Sequence, residues 1–163
     1  MRRSLLLFVS AIAMMATLVA CGGGADSGDA ADAASAYPDG AIVIQPVGNE
    51  MRYAQTEFTV EAGQEVTVVF ENTATSPAMQ HNVLILNTDS DEDAERVGIA
   101  GMTAGAEAEY VPDDPAVFAY TPMSLPGQTV QVTFTAPTEP GRYRYICTFP
   151  GHYSLMQGVM IVT

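Results

Sequence analysis

The feature that most constrains the fold is a succession of short β-type runs from Ala41 to the C-terminus. AIVIQPV, FTVEAGQEVTVVFEN, HNVLILN, AVFAYT, QTVQVTFTAP, GRYRYIC and GVMIVT are rich in Val, Ile, Phe, Tyr and Thr. Branched and flat side chains of this kind pack well on a pleated, half-buried surface. Turn signals such as Ala62-Gly63 and Pro140-Gly141 separate several of the runs. Val66, Val68 and Phe70 alternate with Thr67, Val69 and Glu71, and Val130, Val132 and Phe134 with Gln131 and Thr133. Tyr143, Tyr145 and Cys147 fall on one face, opposite Arg142 and Arg144. A set of about seven or eight such strands predicts an all-β Greek-key sandwich.

Residues 89–110, DSDEDAERVGIAGMTAGAEAEY, break the alternation and predict a short helical flap between strands. Asp89, Asp91 and Asp93 have the spacing of a calcium loop, but its sixth position is Ala94 instead of Gly and its twelfth is Ala100 instead of Glu. A solvated acidic surface is the expectation there.

The N-terminus has a different character. Arg2 and Arg3 precede LLLFVSAIAMMATLVA, an apolar run short for a membrane span, and small residues lead into Cys21. Leu18-Val19-Ala20-Cys21 resembles the bacterial lipobox. This predicts a signal peptide over 1–20, a lipid on Cys21, and a flexible Gly, Ala, Ser and Asp tether through residue 40. Residues 41–163 then form one domain. Of the two cysteines, only Cys147 lies in it, so the domain has no internal disulfide.

Nineteen acidic residues against six arginines, with no lysine, give a formal charge of −13. Nucleic-acid binding needs a basic footprint and is not expected. Such an acid excess also suits solubility in high salt.

The chemistry-bearing residues concentrate near the C-terminus. CTFPGHYSLM supplies a thiol at Cys147, an imidazole at His152 and a thioether at Met156, all on one loop after a strand. A lone thiol is a liability outside the cytoplasm unless it is used. The other histidine, His81, opens the run HNVLILN, where a strand end could meet that loop. Two histidines and a cysteine in a trigonal set, with a weak axial methionine, make a blue-copper arrangement.

The surrounding segments carry a family resemblance. CTFPGHYSLMQG resembles the C-terminal ligand loop of azurin-like blue copper proteins, and MQHN, residues 79–82, resembles the segment bearing their first histidine. GNEMRY, GMTAG and EYVPDDPAVFAYT are similar to further azurin segments, in azurin order. The likeness spans Ala41 to Thr163. With its anchor and tether, the chain is identified as a member of the azurin/auracyanin-like cupredoxins, in lipoprotein form.

The resemblance implies one type 1 copper held by His81, Cys147, His152 and Met156. It implies a weak axial contact from the carbonyl before the first histidine, a position that is Gly in azurins and Gln80 here. It implies that the Asn82 side chain ties the two ligand segments together through Thr148, and that the N–H groups of Asn82 and Phe149 point at the Cys147 sulfur. The electron would leave through the edge of His152, within a patch of Met79, Met102, Phe149, Pro150 and Gly151, with Met51 and Met123 as weaker members. The expected partners are redox proteins such as a cytochrome, a quinol-oxidising complex, a reaction centre or a terminal oxidase, met by a monomeric domain at a membrane. Copper enzymes with similar domains need extra histidines for a second centre, whereas Cys147 is flanked by Ile146 and Thr148 and no His is spare. Electron transfer without catalysis is therefore expected, and storage or delivery of copper is the alternative. Azurins have a disulfide that this chain cannot form. They often have further histidines that couple redox to pH, whose lack here predicts a potential nearly flat around neutrality.

Overall fold

The β-type runs resolve into eight strands in two sheets, in a computed structural model that describes residues 37–163. The expected signal peptide, the expected lipid site at Cys21 and all but the end of the expected tether lie outside the described residues. The smaller sheet has the order β1 (Ile42–Ile44), β3 (Glu65–Glu71), β6 (Thr129–Thr135). The larger has the order β2 (Glu57–Val60), β8 (Gln157–Val162), β7 (Gly141–Ile146), β4 (Leu84–Leu86), β5 (Val117–Tyr120). β1 runs parallel to β3 and β2 parallel to β8, and the other pairs are antiparallel. The turn at Ala62-Gly63 therefore does not close a hairpin. Gly63 takes the left-handed conformation at φ 71°, and the chain passes there from the larger sheet to the smaller.

Alternation places Val66, Val68 and Phe70 inward, where they join Ile85, Tyr145, Met160 and Val162 in the main core. The back of the larger sheet is buried as well. Leu84, Leu86 and Ile146 pack there against Ala94 and Val97 of helix α1 (Asp91–Ala104). All three residues of β4 are consequently buried, and the strand reads as a continuous apolar run.

The helix starts where the sequence lets it. Ser90 accepts from the N–H of Asp93 at 3.3 Å, and Asp91, Glu92 and Asp93 occupy the positive end of the helix dipole. It ends at Gly105, with φ 77°. A single 3-10 turn, Ala106–Ala108, completes the flap. The aspartates that mimic a calcium loop are paired with arginines: Asp89 with Arg142 and Arg144, Asp91 with Arg144, and Asp93 with Arg96.

Candidate metal centre

β7 delivers Cys147 at its end, and the loop that follows folds back on it. Cys147 N–H donates to the Met156 carbonyl at 3.0 Å. The His152 carbonyl accepts from Leu155 at 3.0 Å and from Met156 at 2.8 Å. Gly151 at φ 84° makes the turn before His152. The loop is thus a closed unit whose last residue leads directly into β8.

His81 arrives from the other side, ahead of β4, in an isolated antiparallel bridge with Ser124. Both bridge hydrogen bonds form, at 3.1 and 2.8 Å. Asn72, at the end of β3, is almost wholly buried and clamps this approach. Its amide donates at 2.9 Å to the carbonyls of both Met79 and Ser124, and its oxygen accepts from Ala74 N–H at 3.2 Å.

The structure brings three of the four expected donors into one triangle. The Nδ1 atoms of His81 and His152 are 3.1 Å apart, and the Cys147 sulfur lies 3.8 and 3.7 Å from them. His81 and Cys147 are fully buried and His152 keeps 4 % exposure. Met156 is also fully buried, tied to Cys147 through the backbone. Gln80 is half-buried just before His81.

This cavity resists charge on the protein. Burial, helped by His152, lowers His81 to about 4, and burial lowers His152 as well. Burial pushes the Cys147 thiol up to about 12, against the opposing pull of backbone hydrogen bonds from Asn82 and Phe149. Two neutral imidazoles facing each other across 3.1 Å, with a thiol beside both, aim nitrogen and sulfur lone pairs at one place, which suits a soft or borderline cation. Bonds of about 2.0–2.3 Å at trigonal angles separate such donors by roughly 3.5–3.8 Å. Both sulfur–nitrogen sides agree with that, and the nitrogen–nitrogen side is a few tenths shorter. The donor set of one thiolate and two imidazoles fits copper.

Asn82 links the halves of the site. Its oxygen accepts from Thr148 N–H at 2.9 Å, and its amide donates to the Thr148 hydroxyl at 3.0 Å and to the Glu109 carbonyl at 3.3 Å. Phe149 packs on the His152 ring with centroids 4.9 Å apart and meets Tyr110 edge-on at 5.4 Å. From the flap, Gly101 lies so close to Thr148 that an added Cβ would come within 2.9 Å of it.

Of the expected exit patch, Met79 and Phe149 are half-buried, and Pro150, Gly151 and Met102 are exposed. Met51 and Met79 line one shallow depression together with Leu155, which is 63 % exposed. Met102 sits on the last turn of α1 and Met123 is half-buried. Sequence reasoning missed Leu155, although a leucine between His152 and Met156 at the apex of an irregular loop has no sheet face to fill. It also missed Asn72, which reads as an ordinary turn residue after a strand.

The family of copper binding proteins that comprises plastocyanin and azurin matches residues 41–163. The chain belongs to this family. Auracyanin-A of Chloroflexus aurantiacus is 41 % identical over 163 residues, covering 99 % of this chain and 97 % of that protein. Auracyanin-B of the same organism is 36 % identical over 129 residues, and the chain spans 53 % of its length. The solved structure of auracyanin A, described as a "blue" copper protein, superposes with a TM-score of 0.70 at 43 % identity, over 76 % of this chain and 98 % of that one. The two-sheet sandwich with its helical flap is thus the cupredoxin fold. The cofactor of this plastocyanin/azurin-family protein is copper, and the donor triangle is where such an ion fits.

Proposed function

We propose that the protein carries single electrons at the periplasmic or extracytoplasmic face of a bacterial membrane, to which a lipid on Cys21 attaches it. One observation carries the reading: a buried cysteine and two buried histidines converge from two separately anchored segments, within a family of copper binding proteins. Copper held there alternates between Cu(I) and Cu(II), one electron at a time.

The chain's own residues keep that exchange inexpensive. Cys147, His81 and His152 would supply the strong donors and Met156 the weak one, with the Gln80 carbonyl as the candidate for a second weak contact. Asn82 and Thr148 hold the two ligand segments in register, so the donors keep their places in both redox states. The N–H groups of Asn82 and Phe149 draw density from the sulfur and tune its donor strength.

His152 is the donor that keeps some exposure, next to the exposed Pro150 and Gly151, and its carbonyl bonds Leu155, which with Met51 and Met79 lines a depression edged by Asn49, Glu50 and Arg52. That surface suits the small, short-lived contacts of redox encounters. A cytochrome, a quinol-oxidising complex, a reaction centre or a terminal oxidase fits as partner. The likeness to auracyanin-A extends over nearly the whole chain, which supports reading the N-terminal segment as part of the same design.

The test is an absorption spectrum of the Cu(II)-loaded protein, followed by ascorbate reduction and reoxidation. An intense blue thiolate-to-copper band that bleaches and returns supports the carrier. A colourless protein, or one that releases copper on reduction, overturns it in favour of copper storage or delivery.

A further inference from the structure

Tyr53 belongs to neither ligand segment, yet it holds one of them. It comes from GNEMRY and is fully buried, and its backbone is pinned in a bridge with Pro46. Its ring meets Phe70 edge-on at 6.1 Å, and Phe70 meets His81 edge-on at 6.1 Å. Its hydroxyl donates to the Asn82 carbonyl at 2.5 Å. Asn82 is the residue whose N–H bonds the Cys147 sulfur and whose side chain clasps Thr148. Burial keeps the phenol a neutral donor far above its ordinary range.

We infer that Tyr53 is a positioning residue of the copper centre: its hydroxyl fixes Asn82 from the core side, so that the Asn82 N–H stays on the Cys147 sulfur. The inference rests on the copper-ligand reading above. Deleting the hydroxyl leaves the buried Asn82 carbonyl short of a donor, and the Asn82–Val83 peptide shifts to recover one, turning Asn82 and with it the preceding peptide that carries its N–H. The N–H to sulfur bond then loosens, the thiolate becomes a stronger donor, and the oxidised state gains.

Tyr145 provides a matched control. It is equally buried and its ring lies 5.3 Å from that of Tyr53, but its hydroxyl donates at 2.6 Å to the Gln55 carbonyl and not to a residue that bonds the Cys147 sulfur. Y53F and Y145F therefore delete similar bonds at different places. Both variants, copper-loaded, are compared with the wild type by thermal melting, by the energy of the blue band and by reduction potential. Both are expected to lose stability to a similar extent, while Y53F alone shifts the band and moves the potential in the negative direction.

A blue wild type whose band and potential are unmoved in Y53F, or moved equally in Y145F, overturns the inference alone. A wild type with no blue band overturns it together with the electron-carrier reading. Should Y53F fail to fold, NMR of the wild-type Cu(I) protein decides. A slowly exchanging Tyr53 hydroxyl proton close to Asn82 supports the clamp, and a freely exchanging one overturns it.

Discussion

Loading the site with metal should release one proton over a wide pH range, and that proton should come from Cys147. Burial holds the thiol near 12 and lowers both histidines below their ordinary value, His81 to about 4. At pH 7 the metal-free site is therefore a neutral thiol beside two neutral imidazoles. A metal ligand must be the thiolate, so binding expels the thiol proton while the imidazoles bind as they stand. Removing a proton held near 12 at pH 7 costs about 7 kcal/mol, which the metal–sulfur bond must exceed. Apparent affinity should then rise tenfold per pH unit from about 6.5 to 9. The dependence steepens only well below the ordinary histidine range, as the pH approaches the lowered value of about 4 at which His81 takes up a proton in the folded site. Zn(II) serves as a redox-silent probe, titrated against a chelator of known proton affinity in lightly buffered solution with a pH dye. A slope of one with one proton released is expected. A slope near zero would mean that the thiolate already exists without metal, and a slope of two that a histidine is charged; either refutes the electrostatic picture.

The metal-free protein should lose stability as pH falls from about 6.5 towards 4. The folded pKa of His81 is lowered, so the unfolded chain takes up the proton first; calorimetric melting against pH should show this loss, and bound metal should suppress it at the upper end of the range. Gly98→Ala should destabilise by about 1–3 kcal/mol in chemical denaturation, although alanine is the better helix former by about 1 kcal/mol. The added Cβ would lie 2.2 Å from Cγ of Tyr153, at the rigid root of the ring. The reduction potential should stay nearly flat between pH 6 and 8 in voltammetry, since His81 and His152 are the chain's only histidines and both are donors on the copper reading. A change of about one proton per electron would refute it. Leu155→Asp should leave the blue band unchanged but slow electron self-exchange several-fold, because a charge replaces the most exposed apolar side chain beside His152.

Much of this architecture was legible because it is written in local periodicity. The alternation of Val66, Val68 and Phe70 marks the inward face of β3, and the break after Asp89 marks the flap. The convergence of His81 with Cys147 and His152 was legible only through chemistry: three donor types with no other evident use, in a pattern shared with a known ligand loop. Contacts made across the fold by ordinary residues were not legible. Ile146 shares a face with Arg142 and Arg144, and alternation alone would put it in solvent; it is buried because helix α1 covers that end of the sheet with Ala94 and Val97. Gly98 and Gly101 look like helix-weakening residues until Tyr153 and Thr148 are found seated against them. Asn72 carries no periodic signal, since its partners are backbone carbonyls, which every residue has.

These cross-fold contacts bear on how the centre works, because they fall on both sides of the donor triangle. On the core side, Tyr53 and Asn72 grip the segment around His81. On the flap side, Gly101 meets Thr148 and Gly98 meets Tyr153, the residues directly after Cys147 and His152. Asn82 then bridges one grip to the other through Thr148. A loop held on one side could follow a metal that prefers different geometries in its two oxidation states. Held on both, in a close-packed interior that yields little to strain, the donors stay where the fold puts them. For an electron carrier this constraint keeps the two oxidation states similar in structure, and so keeps the rearrangement accompanying each transfer small. The same constraint would impede a protein that must open to hand its metal over. The two-sided grip therefore favours retention of copper over delivery.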